Sequence, residues 1–210
     1  MKLETKKEIA NTITHGIPLI AFLVMIPILI VKAVNHQFIN WKLVGISLFA
    51  FGLFSVYTSS TFYHAIFHVK TKRILRIFDH ISIYFLIAGS YSAFMFLFFP
   101  NRISFPFLIV LWSIVALGII KKIFLTGKYD TLSTLLYIFL GCMGLFLAKH
   151  MFTYVPNVSL WLIFIGGFSY LFGVIFYAWK GYRYHHAVWH VFVFIGSLSH
   201  FFGVYLGINA

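Results

Sequence analysis

His186 and His190, in the stretch HAVWH, stand four residues apart, so on a helix their imidazoles leave from one face. Earlier in the chain Ser60, His64 and His68 keep the same spacing, and Asp79 and His80 follow soon after. Helices that each present an imidazole toward a common axis can build a metal site in a bundle core. Three histidines with one open position form the pattern of catalytic zinc, whereas four protein ligands close the shell and make a site structural. Neutral imidazole also suits copper, nickel and iron, so the residue types favour zinc without requiring it. The competing assignment for His186 and His190 alone is an ordinary interfacial pair. The third imidazole, His64, and the nearby carboxylate of Asp79 tip the balance toward a metal.

A bundle in a bilayer must position these groups. Of the 210 residues 61% are hydrophobic and only 10% charged, more apolar surface than a water-soluble domain of this size can hide. Seven runs reach the roughly 20 mainly apolar residues that a crossing needs: about 16–34, 43–67, 79–99, 103–122, 131–149, 158–179 and 186–208. They are continuous, unlike the short alternating strands of a barrel. The fold class is therefore all-α, a seven-transmembrane helix bundle formed by residues 1–210 as one domain. The connections are short, without repeats or low-complexity tracts. The single cysteine, Cys142, forms no intramolecular disulfide. The N-terminus reads as carrying no cleavable signal.

A net charge of +12 would suggest nucleic acid if the cations formed one patch. They sit instead in short clusters between apolar runs, so membrane lipids and no nucleic acid are the expected partners. Twelve of the 16 lysines and arginines fall at span ends on the side of the N-terminus. Only Lys32, Lys42, Arg102 and Lys149 fall on the other. That asymmetry predicts a cytoplasmic N-terminus and an extracytoplasmic C-terminus, in a multi-pass protein of the cell membrane. On this topology Glu8, Asn11, His15, Ser60, His64, Asp79, His186 and His190 come to one depth at the cytoplasmic end. Ionisable groups at membrane depth are costly and face the bundle interior, often at functional sites. His68 and His80 are expected at the interface, although His68 as a fourth ligand would make the metal structural. The cations between residues 70 and 76 are expected to hold their loop against anionic headgroups. His200, ten residues beyond His190, lies about 15 Å deeper and reads as a hydrogen-bonded core histidine.

Three separated motifs carry a resemblance: EIANTITHG (8–16), SSTFYHAIFH (59–68) with RIFDHISIYFLIAGSYS (76–92), and HAVWHVFVFIGSLSHFFGVY (186–205). In this order they resemble the hemolysin III family, which belongs with the progestin and adiponectin receptors and, more distantly, the alkaline ceramidases. The resemblance implies seven helices, a cytoplasmic N-terminus and zinc near the cytoplasmic face. It implies His64, His186 and His190 as ligands, Asp79 as the aspartate that holds the water at the metal, and Ser60 as a serine one turn before the first ligand. It matches Glu8, Asn11 and His15 to the N-terminal motif without assigning them a role. Ser92-Ala93 departs from the Thr-Pro of many bacterial relatives, which removes a kink from the third helix.

Three classes of function follow. A zinc held by three neutral imidazoles lowers the pKa of its water to about 7, and Asp79 can orient that water or accept its proton. Just inside a membrane face, such chemistry would act on a lipid amide or ester. The competing assignment for Asp79 is a salt bridge to Arg76 or Lys72. A pore-forming cytolysin is the second class, although few charges line the spans as a channel requires. A ligand-sensing seven-helix receptor is the third. The absence of a lysine for a Schiff base in the seventh span argues against a retinal protein.

Overall fold

The computed structural model describes residues 3–38, 40–179 and 181–209. Among the described residues, eight α-helices make seven segments long and apolar enough to cross a membrane. They are α1 (Leu3–Asn35), α2 (Trp41–Ala65), α3 (Val69–Phe98), α4 (Asn101–Leu125), α5 (Asp130–Cys142), α6 (Ala148–Tyr154), α7 (Asn157–Ala178) and α8 (His185–Gly207). The fifth crossing is composite: α5 passes through a 3-10 turn, Met143–Leu147, into α6. Among the described residues there is no strand, as expected where each backbone group must be satisfied within its own segment.

Two helices begin well before their apolar runs. α1 starts at Leu3 and α3 at Val69, where the hydropathy pattern begins at about 16 and 79. Polarity marks the edge of the bilayer, and it does not end a helix. Neither 3–15 nor 69–78 contains Gly or Pro, and Glu4 and Lys7 pair along the first turns at 2.8 Å. At 33 residues α1 is about 50 Å long, against a hydrocarbon layer of roughly 30 Å. Its first turns therefore stand in the headgroup region.

α2, by contrast, stops at Ala65. The chain turns through Ile66 and Phe67, and His68 caps α3, its Nδ1 accepting from Thr71 N–H at 3.4 Å. The helical spacing of His64 and His68 is thus broken by the turn.

α2 and α3 form the most intimate pair. Side chains at Gly52 and Gly89 would place a Cβ 2.6 Å from the Phe85 carbonyl oxygen and 2.5 Å from that of Leu48, and one at Gly45 would strike the Ser92 carbonyl. Small residues let membrane helices approach until backbone meets backbone. Two cores flank α3. Phe22, Phe49, Leu53, Tyr57 and Phe201 join α1, α2 and α8 on one side. Tyr84, Leu111, Val115, Leu140 and Leu160 join α4, α5 and α7 on the other. α3, α8 and α2 are the most enclosed crossings, and they carry the groups with metal and acid–base chemistry.

A second polar cluster lies where α3, α4 and α5 meet. Lys122, 1% exposed, donates to Asp130 Oδ1 at 3.2 Å, and Arg76 donates to Asp130 Oδ2 at 3.0 Å. His80 Nδ1 lies 3.4 Å from Lys122 Nζ, and the His80 carbonyl accepts from the Tyr137 hydroxyl at 2.9 Å. His80 is therefore half-buried between helices rather than at the interface the sequence suggested. Lys72 and Arg76 likewise turn to internal carboxylates, which leaves Lys70 and Arg73 as the exposed cations of that segment.

Candidate metal centre

The last turn of α2 carries His64, and the first turns of α8 carry His186 and His190. One nitrogen from each ring can be chosen so that all three lie within 4.8 Å of one another. The ring centroids are 5.3 Å apart for His64 and His186, 5.2 Å for His64 and His190, and 4.5 Å for the α8 pair. His64 and His190 are buried and His186 is half-buried.

The hydrogen bonds fix which nitrogens face the centre. A carboxylate only accepts, so His64 Nδ1–H donates to Glu8 Oε2 at 2.7 Å. The Thr14 hydroxyl lies 3.0 Å from the carbonyls of Ala10 and Asn11 and 3.0 Å from His190 Nδ1; giving its one proton to either carbonyl, it accepts from His190 Nδ1–H. Both rings thereby carry a lone pair on Nε2. These two Nε2 atoms are buried and lack a hydrogen-bond partner among the described residues. A buried, unsatisfied acceptor costs on the order of 1–3 kcal/mol, and two of them within one histidine cluster are what a cation would satisfy. The donor set fits zinc: neutral imidazoles, each anchored through its other nitrogen.

Asp79, near the start of the buried part of α3, is half-buried, and its carboxyl neighbours Ser60 and His64. The salt bridges weighed against a chemical role do not form. Among the described residues Arg76 bonds Asp130 and Lys72 bonds Glu8. A serine chain ties the two helices here: Ser59 donates to Ser82 Oγ at 3.0 Å, and Ser82 to the Asp79 carbonyl at 2.7 Å. His68 is exposed and spent on capping α3, so it is not a fourth ligand. His200 is buried deeper, its Nε2 3.3 Å from the Ile163 carbonyl, as a core histidine should be. A cavity of about 220 Å³ between α1 and α2, lined by Ile9, Thr12, Ile13, Ala65 and Phe67, reaches His64.

The comparison with known proteins agrees with the three motifs. The family model described as "Haemolysin-III related" matches residues 3–201. The chain belongs to the haemolysin-III family. It is 39% identical to the "Hemolysin-3 homolog" of Bacillus subtilis (strain 168), over 95% of this chain and 93% of that one. It is 35% identical to "Hemolysin-3" of Bacillus cereus, over 95% and 90%. The human "Monocyte to macrophage differentiation factor" is more distant, 26% identical over 93% and 82%. As a haemolysin-III family protein with seven candidate crossings, the chain is a multi-pass membrane protein.

Sequence reading left Glu8, Asn11 and His15 without roles and missed Thr14. Glu8 bonds His64, Asn11 lies 3.5 Å from the same ring nitrogen, and Thr14 bonds His190. The His15 ring packs 3.9 Å from that of His190. Positions 8, 11, 14 and 15 share one helix face, a signal visible in the sequence once the helix is extended back past residue 16.

Proposed function

We propose that this haemolysin-III family member is a zinc protein of the cell membrane that hydrolyses a lipid amide or ester and so alters membrane composition. The observation that carries this reading is the pair of buried, unpartnered Nε2 atoms of His64 and His190 beside His186, with the Asp79 carboxyl and Ser60 next to them. Bound there, zinc would make a water acidic near neutral pH and polarise a carbonyl. The chain's own groups supply the rest. Asp79 takes a proton from the attacking water and returns it to the departing amine or alcohol, while the water oxygen ends in the released carboxylic acid. Ser60, beside the Asp79 carboxyl, is placed to steady it. Glu8 and Thr14 hold the His64 and His190 rings. The cavity between α1 and α2 lies beside exposed Ile9, Ile13 and Phe67, where an acyl chain has access from the bilayer.

Elemental analysis and lipidomics test the reading together. Purified wild type should carry about one zinc per chain, and His190→Ala should lose most of it, because two imidazoles leave half a tetrahedral shell. Asp79→Asn should keep its zinc yet lose turnover. Cells expressing wild type should differ in lipid profile from a deletion strain, and cells expressing Asp79→Asn or His186→Ala should match the deletion. Full occupancy in His190→Ala would remove that residue from the site. Identical profiles for wild type and deletion would end the hydrolase reading, and leakage of liposomes or ligand binding would then be sought.

A further inference from the structure

The first turns of α1 are the least membrane-like part of the chain, yet they reach deepest into the histidine centre. Glu8 is not a surface carboxylate: one oxygen meets His64, whose side chain is 4% exposed, at 2.7 Å, and the other meets Lys72 Nζ at 3.2 Å. Lys72 is itself tied down. It donates to the Tyr63 carbonyl at 2.9 Å, and its ammonium lies 4.7 Å from the Tyr63 ring centroid. The carboxylate is therefore clamped between a histidine from the end of α2 and a lysine from the start of α3.

We propose that Glu8 is a positioning residue of the histidine centre, a role that rests on the metal reading above for its consequence but not for its geometry. By accepting Nδ1–H, Glu8 holds His64 in the tautomer and rotamer that aim the Nε2 lone pair at His186 and His190. By holding the second carboxylate oxygen, Lys72 keeps Glu8 behind the ring and out of the ligand set. Thr14, two turns along the same face, does for His190 what Glu8 does for His64, without charge. Asn11 is the weaker neighbour of the same nitrogen: at 3.5 Å it is at the limit of hydrogen bonding, against 2.7 Å for Glu8, and it carries no charge. A carboxylate on the far nitrogen of a ligand histidine makes the ring a stronger donor, and losing such a partner typically weakens metal binding by about 10- to 100-fold.

Two readouts test this on the full chain in detergent. The first needs no metal. With ¹⁵N-labelled imidazoles at about pH 9, well above the ordinary imidazole pKa, His64 and His190 should both be Nδ1–H tautomers in metal-stripped wild type, each assigned by its own His→Gln variant. Glu8→Ala should move the His64 signals toward a tautomer mixture and leave His190 in place. Thr14→Val should do the reverse. The second readout is competition for zinc against a chelator. Glu8→Ala should bind zinc about 10- to 100-fold more weakly than wild type, with Glu8→Gln in between because its carbonyl can still accept Nδ1–H. A His64 signal unchanged in Glu8→Ala overturns the proposal, as does wild-type zinc affinity in that variant. If wild type binds no zinc but the tautomers behave as stated, the metal reading fails and the positioning role of Glu8 stands.

Discussion

Asp130 holds two cations at once, and removing it should expose how far the α3–α4–α5 junction depends on charge. In Asp130→Asn, Lys122 keeps its burial, loses its anion, and faces Arg76, which has lost the same partner. At an effective dielectric of about 20 a 3.2 Å ion pair corresponds to about 5 kcal/mol of attraction. Breaking a fully buried pair by deleting one partner costs about 3–5 kcal/mol. Asp130 is about a third exposed, so water screens and rehydrates part of the junction. Lys122 also keeps His80 Nδ1 as a neighbour, at 3.4 Å. A loss of about 2 kcal/mol is therefore expected for Asp130→Asn. If stranded charge is the cause, Lys122→Met in the same background should restore most of it, because the double variant has no buried cation to satisfy. Unfolding in mixed micelles, run as a double-mutant cycle, measures the coupling directly. A coupling below about 0.5 kcal/mol, or a double variant as unstable as the sum of the singles, would show that Asp130 acts through its place in the first turn of α5 and not through Lys122.

At the α2–α3 seam, Gly89→Ala places a methyl 2.5 Å from a backbone oxygen that has no flexible end to move. Destabilisation of about 1–3 kcal/mol is expected in the same assay, and a neutral result would mean the helices can separate freely. For orientation, single cysteines at Lys72 and Ala210, in a Cys142→Ser background, should be labelled by an impermeant reagent on intact cells only at position 210. The opposite pattern would invert the bundle and place the histidine centre outside.

The histidine cluster was legible because its chemistry is local. His186 and His190 lie one helical turn apart within a single helix, and His64 ends a span whose depth follows from counting crossings. His68 is exposed, in keeping with its expected place at the interface, but its spacing from His64 carries no shared helix face: α2 ends one residue after His64, at a turn where no glycine or proline marks the stop. At α1 the hydropathy pattern marks only where the apolar run begins, at about 16, whereas the helix starts at Leu3; Glu8, Asn11 and His15 could be placed at the depth of the histidines but not on a helix face. Gly45, Gly52 and Gly89 gave no warning, since a glycine that admits a neighbouring backbone looks the same in sequence as one in a loose turn.

Glu8 shows where the deeper boundary lies. Its type and its depth could be read, but its partner is 56 positions away, and only packing decides that it meets His64 rather than a headgroup. The part of α1 that precedes its apolar run thus supplies the groups that meet the Nδ1 atoms of His64 and His190. Three histidines at one depth make a metal site conceivable, and several arrangements of three rings would leave their donors pointing apart. Glu8 works against those arrangements at His64 as an acceptor with no proton to give, and Thr14 does so at His190 when its one proton goes to its own helix. The functional centre is accordingly set by α1 as much as by the helices that carry its histidines.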